Sequence, residues 1–173
     1  FSRKSESFMA PNNLTELIDN VLELAGKDYD LKKRYDFRKI EIIKEFDSNL
    51  PLVPCTETEI EQVILNLINN SAWAVANEKS DDPPQIRLRV NVENQMARIE
   101  IEDNGPGMDE ATRKKIFEPF FTTKPVGEGT GLGLSVSYMI ITNNHQGTME
   151  VVSELGKGTK FIIQLPLERE LTS

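Results

Sequence analysis

The sequence predicts one α+β domain in which a layer of helices covers one face of a sheet. About three segments carry apolar residues at helical spacing, and about five carry apolar residues that alternate as in strands. The two kinds of segment follow each other in mixed order, which favours helices packed on a sheet. A chain of 173 residues, 38% of them hydrophobic, is long enough to bury a core of this kind.

The first predicted elements are a helix and a strand. Residues 14–26 have apolar side chains close to helical spacing, which predicts a helix. Residues 1–13 are polar and contain Pro11 beside two asparagines, so we expect a preceding element and a linker there. Residues 40–46 alternate loosely and are followed by Asn-Leu-Pro at 49–51, which indicates a strand that ends at a turn.

A long helix is predicted to begin near Thr56. Thr56 and Thr58 each have a glutamate three residues later, as in a capping box. The run ends in the loop around residues 81–84. The apolar stripe of this helix consists of Ile60, Val63, Ile64, Leu67, Ile68, Ala72 and Val75.

The remaining predicted elements are four strands and one helix. Residues 86–92 and 97–101 alternate with period two around a short polar turn, which predicts a hairpin. A region rich in Gly and Thr follows. After it come a helix over 134–142 and strands over 148–153 and 160–165.

Composition excludes several functional classes. The net charge is 20 − 28 = −8 and the basic residues are scattered, which argues against nucleic-acid binding. No apolar run reaches the about 18 residues that a membrane span needs. The single cysteine, Cys55, can form neither an internal disulfide nor a zinc site, so we expect a reducing, cytoplasmic setting. Because the first residue is Phe1, we expect a piece of a longer protein.

Asn66, Asn70, Trp73 and Asn77 are predicted to share one face of the long helix. They are spaced by four, three and four residues, which places them beside one another. Asparagine is a poor residue for a helix interior, and its amide oxygen is a hard, neutral ligand suited to Mg²⁺. An ordinary solvated polar face is the alternative.

Two further segments contain glycine at special positions. Residues 103–108, Asp-Asn-Gly-Pro-Gly-Met, follow a strand; Asp103 could accept a hydrogen bond from an amino group there, although a simple turn would also explain the segment. Residues 127–135 have alternate glycines that open a helix, which favours an anion site such as a phosphate site. Their spacing fits neither the dinucleotide-binding nor the P-loop pattern. The paired Phe120 and Phe121 before them are equally consistent with core packing.

In this order, the motifs closely resemble the catalytic ATP-binding domain of two-component sensor histidine kinases. Residues 66–70 resemble its N box, 103–108 and 129–134 its two glycine boxes, and 117–121 its phenylalanine box, with Gly-Lys-Gly-Thr at 156–159 after them. The resemblance covers about residues 14–167. It implies an ATP-binding domain over 14–168, the end of a dimerisation helix with a linker over 1–13, and a tail over 169–173.

The resemblance implies the two-layer sandwich shared by gyrase, Hsp90, MutL and histidine kinases. This fold has a mixed, mostly antiparallel sheet, helices on one face and an ATP lid, here about residues 117–130. Its ligands would be ATP and Mg²⁺. Asp103 would accept from the adenine amino group, Met108 would pack on the ring, Thr159 would lie near Asp103, and Asn70 would bind the metal.

The ATP-binding positions implied by the resemblance extend over the whole set of motifs. They are Asn66, Asn70, Trp73, Asp103, Gly105, Gly107, Met108, Thr123, Lys124, Gly129, Thr130, Gly131, Leu132, Gly133 and Thr159. Trp73 departs from the family pattern, since many members have a basic or polar residue there, and Lys124 is the candidate substitute. His145 resembles the family's His-Gly turn, so we expect the phosphoacceptor histidine to lie outside this chain.

The implied activity is that of an ATP-dependent protein-histidine kinase. The phosphoryl group would pass from Mg-ATP to a histidine of the protein's own dimerisation domain, and then to a response regulator. The full-length protein is expected to be a homodimer with this domain in the cytoplasm, and membrane anchoring stays open. A conformational ATPase of the same fold and a nucleotide-sensing module without catalysis are the alternatives. The first would need a glutamate base where this chain has Asn66.

Overall fold

The computed structural model describes residues 8–27, 36–76, 81–124 and 131–168. A 3₁₀ turn spans Phe37–Lys39, and Ile140–Asn144 form a π-helical turn. The helices are α1 (Leu14–Lys27), α2 (Glu57–Ala76), α3 (Glu110–Lys115) and α4 (Gly133–Met139). The strands are β1 (Ala10–Asn12), β2 (Glu41–Phe46), β3 (Val53–Cys55), β4 (Gln85–Glu93), β5 (Met96–Asp103), β6 (Thr148–Glu154) and β7 (Gly158–Pro166).

The main sheet has five strands in the order β2-β4-β5-β7-β6. β2 runs parallel to β4, and every other neighbouring pair is antiparallel. β4 and β5 are joined through Asn94 and Gln95, whose φ angles are +53° and +62°. Two consecutive residues with positive φ form a turn whose twist matches that of the flanking strands. The prediction of a mixed, mostly antiparallel sheet of about five strands is therefore confirmed.

The core lies between one face of this sheet and the helices. β4 buries Ile86, Leu88 and Val90, while Arg87 and Arg89 point to the other face. The entire predicted apolar stripe of α2 is buried, and α1 packs beside α2. Period-two strands and a period-3.6 helix thus bury their apolar sides against each other.

Ion pairs cover the opposite face of the sheet. The guanidinium of Arg89 lies 2.8 Å from Glu45, 3.1 Å from Glu100 and 3.0 Å from Glu102. Arg98 adds a pair with Glu100 at 2.8 Å. Alternate residues of the strands are charged here, and apart from the buried Glu100 these ion-pair residues are partly or fully exposed, so this face is polar. The helices therefore form a layer on one face, as predicted.

Three short elements differ from the prediction. β1 and β3 pair antiparallel, with Pro11 opposite Pro54, so a strand lies in the region where the sequence predicted a linker. Proline in both strands concealed them, since proline is atypical of strands. α3 lies in the region that was expected to be a glycine-rich connection, and the side chain of Asp109 accepts from the N–H of Thr112 at its start.

Several predicted segments lie outside the described residues. Residues 1–7, expected to end a dimerisation helix, are among them, as are the predicted tail and residues 125–130 of the predicted lid. Of the helices that the structure does describe, none combines the length and apolar character needed to cross a bilayer.

Candidate functional site

A cavity of about 390 Å³ lies between α2, the carboxyl end of β5 and the segments on either side of residues 125–130. The structure brings most of the sequence-predicted positions together around it. Those that line the cavity are Asn66, Asn70, Trp73, Asp103, Gly107, Met108, Thr123, Lys124, Gly131, Gly133 and Thr159.

The other predicted positions lie elsewhere or outside the described residues. The N–H of Gly105 donates to Asp103, so this glycine supports the site without lining it. Leu132 accepts through its carbonyl from Ser135 Oγ at 3.0 Å and also does not line the cavity. Gly129, Thr130 and the predicted face residue Asn77 are not among the described residues.

Several residues that line the cavity are not among the positions predicted from the sequence. These are Asn69, Ala74, Pro106, Ile116, Phe121, Thr122, Leu134 and Phe161. Asn69, Pro106, Phe121 and Leu134 stand inside the recognised motifs, where position alone could have identified them. Ile116 and Phe161 are apolar and carry no chemical signal, so the sequence offered nothing to separate them from the core.

Asp103 is a buried residue of the cavity wall. It is the last residue of β5 and is 4% exposed. One carboxylate oxygen accepts from the N–H of Gly105 at 2.9 Å. Burial raises the pKa of Asp103 to about 6, although the Gly105 hydrogen bond favours the charged form. A buried carboxylate of this kind gains from a ligand that donates a hydrogen bond to it.

The loop 105–108 is held tightly against the β6–β7 hairpin. Gly107 has φ of +73°, and a Cβ there would lie 2.1 Å from the carbonyl oxygen of Glu154. The N–H of Gly156 donates to Pro106 O at 2.7 Å, and the N–H of Met108 donates to Ser153 Oγ at 2.8 Å. Only glycine fits at position 107, and the loop presents Met108 to the cavity.

Asn66 joins α2 to the first turn of α4. Its Nδ2 donates to Gly133 O at 3.4 Å and to Ser137 Oγ at 3.2 Å. Because the Gly133 carbonyl can only accept, these contacts fix the orientation of the Asn66 amide. The start of α4 is thereby held at a set distance from the asparagine face of α2.

The asparagines of α2 suit a hard metal ion that takes most of its ligands from water and a bound phosphate. Asn70 lines the cavity one turn after Asn66, and Oδ1 of Asn69 is buried with no hydrogen-bond partner in the described part of the chain. Those described residues contain no cluster of three or more His, Cys, Asp or Glu side chains that could cage a metal. Amide oxygens without a carboxylate cage suit Mg²⁺ bound mainly by water and phosphate.

Lys124 and Trp73 place a positive charge in the cavity. Lys124 Nζ lies 5.4 Å from the centroid of the Trp73 ring, within the range of a cation–π contact. Both residues line the cavity. Trp73 therefore holds the lysine close to the asparagine face of α2. That Lys124 replaces the basic or polar residue of the family pattern stays a prediction.

His145 has a structural environment away from the cavity. The ring is 1% exposed. Its Nε2 accepts from the N–H of Thr56 at 3.0 Å, and its Nδ1 lies 2.9 Å from the Ile140 carbonyl oxygen. Because that carbonyl can only accept, Nδ1 carries the proton. His145 thus ties the start of α2 to the π-helical turn.

Residues 55–169 match the family described as histidine kinase-, DNA gyrase B-, and HSP90-like ATPase. The signal transduction histidine-protein kinase AtoS of Escherichia coli (strain K12) is 36% identical over 168 residues, which cover 96% of this chain and 25% of AtoS. Across the first four curated relatives, the chain spans 18% to 25% of their lengths.

Solved structures of two histidine kinases have the same fold. The catalytic domain of ThkA has a TM-score of 0.75 at 30% identity, covering 92% of this chain and 95% of that one. ThkA in complex with the response regulator TrrA gives 0.73 at 28%, covering 92% and 42%. Full-length ShkA in complex with AMPPNP gives 0.76 at 26%, covering 98% and 33%.

Proposed function

The chain belongs to the histidine kinase-, DNA gyrase B- and HSP90-like ATPase family, as an ATPase domain of the sensor histidine kinase type, and we propose that it binds Mg-ATP and donates the γ-phosphoryl group to a histidine. The acceptor would lie on the protein's own dimerisation domain. A response regulator would then receive the phosphoryl group, and the complete protein would act as a homodimer. The proposed function includes no nucleic-acid partner.

One observation carries the proposal: a single cavity presents a buried carboxylate, Asp103, together with an asparagine face and Lys124. A carboxylate acceptor suits the amino group of a base. Hard oxygen ligands and a positive charge suit phosphates with Mg²⁺. A nucleoside triphosphate carries a base and phosphates, so it needs both kinds of group in one cavity. ShkA was solved with the ATP analogue AMPPNP.

At the base end, the chain would recognise adenine. Asp103 would accept from the exocyclic amino group, because its carboxylate is buried, lines the cavity and can accept several hydrogen bonds, one of them from the Gly105 N–H. Met108 would pack on the ring from the loop that Gly107 allows to approach. Thr159 lies opposite Asp103 in the β5–β7 register and would complete this end of the site.

At the phosphate end, Asn70 would hold Mg²⁺, with Asn66 one turn before it. The metal, when bound, neutralises charge on the phosphoryl groups. Lys124 would leave the Trp73 ring and contact a phosphate. Gly131 and Gly133 would let the backbone approach the phosphates, with Leu132 between them. Thr123, Gly129 and Thr130 would belong to the predicted lid.

The site favours transfer to an incoming histidine over transfer to water. Asn66 occupies the position where the ATP-hydrolysing branch has a glutamate base, and an amide cannot take a proton from water. Its Nδ2 is already bonded to Gly133 O and Ser137 Oγ, so this residue holds α4 in place. Positioning and charge neutralisation are what phosphoryl transfer chiefly requires of a protein.

Radiolabelled ATP tests this proposal. The chain is incubated with a separately purified dimerisation domain from the same protein, with and without Mg²⁺. We expect acid-labile label on the dimerisation domain and little hydrolysis by the chain alone. Binding of ATP without label transfer would instead identify a nucleotide-sensing module. Rapid hydrolysis without the second domain would identify a conformational ATPase.

A further inference from the structure

Ser153 lies where three parts of the site meet, and its hydroxyl contacts each of them. The residue belongs to β6 and faces Thr159 of β7 in the strand register. Its Oγ lies 2.8 Å from the Met108 nitrogen and 3.1 Å from the Gly158 carbonyl oxygen. It also lies 2.8 Å from Thr159 Oγ1. No sequence motif pointed to this serine.

Counting donors and acceptors shows where the hydroxyl protons of Ser153 and Thr159 point. Ser153 carries one hydroxyl proton and two lone pairs. The Met108 N–H can only donate, so it uses one lone pair, and the Gly158 carbonyl can only accept, so it takes the proton. The arrangement that satisfies all three partners therefore has Thr159 donating to the second lone pair of Ser153.

This arrangement determines what Thr159 can offer to the cavity. Thr159 is 9% exposed and lines the cavity opposite Asp103. With its proton committed to Ser153, its oxygen presents only lone pairs. Asp103 and Thr159 are then two acceptors side by side, a pair that favours a donor and disfavours a carbonyl on the ligand.

From this geometry we propose that Ser153 is a positioning residue for base selection: it keeps Thr159 an acceptor, so that the site discriminates a 6-amino purine from a 6-oxo purine. The proposal rests on adenine nucleotide binding as argued under the proposed function. Ser153 does not line the cavity and acts through Thr159 and Met108.

ADP and IDP are the matched probes, because their bases differ along one edge: position 6 carries an amino group in ADP and a carbonyl in IDP, and N1 changes with it from an acceptor to an N–H donor. The ratio of their dissociation constants is measured by calorimetry on the whole chain. In Ser153→Ala the Thr159 proton is released and can be donated to the IDP carbonyl. We expect the preference for ADP to fall about threefold to tenfold, the range of one net hydrogen bond. Ser153→Thr retains a hydroxyl and should restore the preference.

Two controls separate this role from a general effect on the hairpin. Val152→Ala changes the neighbouring residue of β6, which is 54% exposed, and should leave the ratio unchanged. In a Thr159→Val background, Ser153→Ala should no longer change the ratio, because the two residues are coupled. Thermal melts establish that each variant is folded.

The outcomes distinguish this inference from the proposed function. Wild-type chain that binds neither nucleotide, or both equally, would overturn adenine recognition itself. A preference for ADP that is the same in Ser153→Ala as in wild type would overturn only the role of Ser153. The same holds if Ser153→Ala changes the preference equally in the wild-type and Thr159→Val backgrounds. If Ser153→Ala does not fold, Ser153→Thr still tests the proposal. A folded Ser153→Thr variant whose preference for ADP over IDP is lower than that of wild type would count against it.

Discussion

Asp103 and Gly105 form a hydrogen bond of 2.9 Å inside the protein, with the carboxylate 4% exposed. The hydrogen bonds that the carboxylate receives offset only part of the cost of burying its charge. The pKa of Asp103 is accordingly raised by burial to about 6, from an ordinary value of 3.8. The residue proposed to recognise the base thus lowers the stability of the fold at neutral pH.

Asp103→Asn should therefore stabilise the fold and remove nucleotide binding. Between pH 3.8 and 6 the folded state binds more protons than the unfolded state, so the free energy of unfolding falls as pH rises through this window. A shift of this size corresponds to about 3 kcal/mol at pH 7. The amide can still accept from Gly105 without the charge. Thermal melts at pH 7 and calorimetry with ADP measure the two effects.

Asp109→Asn is the matched control for that substitution. Asp109 is exposed and accepts from the N–H of Thr112 at the start of α3, and this backbone bond lowers the pKa of Asp109. Its stabilising effect is present at neutral pH and is lost as pH falls through the lowered pKa. The control variant should melt slightly lower than wild type and bind ADP normally. An Asp103→Asn variant that melts below wild type at pH 7 would contradict our account of the buried charge.

Binding of adenosine should strengthen as pH rises through about 6. The ionised Asp103 accepts through both oxygens, whereas protonation removes the negative charge and turns one oxygen into an O–H donor, which leaves a weaker acceptor for the adenine amino group. Adenosine is the suitable probe because it has no phosphate group that titrates in the same range. Saturation-transfer NMR between pH 5 and 7.5 measures the change. An affinity that is constant across this range would argue that the carboxylate does not contact the base.

Asn70→Ala should remove most of the gain in ATP affinity that Mg²⁺ provides. The side chain lines the cavity and offers an amide oxygen as a metal ligand. Affinity for ATP in the presence of a chelator should stay close to that of wild type. Asn91→Ala is the control, since Asn91 lies on β4 and is not among the cavity-lining residues. Equal losses with and without Mg²⁺ would assign Asn70 to another role.

Mg-ATP should change the fluorescence of Trp73, the only tryptophan in the sequence. Lys124 Nζ lies 5.4 Å from the centre of the Trp73 ring, and a phosphate would draw the ammonium group away. In Lys124→Ala the emission without nucleotide should already differ from wild type, and the response to Mg-ATP should shrink. Emission that is indifferent to saturating Mg-ATP would indicate that this contact is not part of the site.

The sequence predicted the regular elements well because their patterns are local. The apolar stripe of α2 and the alternation of β4 and β5 arise from side-chain periods that tertiary packing preserves. β1 and β3 could not be seen, since each is three residues long and depends on a partner more than 40 residues away. α3 has only six residues and its start is marked by one aspartate.

The candidate site was predictable where its residues have unusual chemistry for their position. Asparagines in a helix interior and a carboxylate beside two glycines are such cases, and the structure gathers Asn70, Asp103 and Gly107 at one cavity. Their roles toward a nucleotide remain predictions. Ser153 could not be found in this way, because a serine in a strand is common and its significance comes from three contacts made in the fold.

Incubation with radiolabelled Mg-ATP should leave His145 unlabelled, although it is the only histidine in the chain. The ring is 1% exposed, and both nitrogens are engaged, Nε2 with the Thr56 N–H and Nδ1 with the Ile140 carbonyl. An imidazole in this position cannot approach a γ-phosphate bound in the cavity, which His145 does not line.

His145→Ala separates this structural role from a chemical one. Loss of the bond to Thr56 would leave a buried N–H unsatisfied at the start of α2, so the variant should be about 1 to 3 kcal/mol less stable in urea unfolding. Transfer of label to an added dimerisation domain should continue below the melting temperature of the variant. Acid-labile label on the wild-type chain alone, mapped by mass spectrometry to the peptide that contains His145, would overturn the placement of the acceptor on another domain. That mapping needs no substitution, so the prediction can fail even if the variant does not fold.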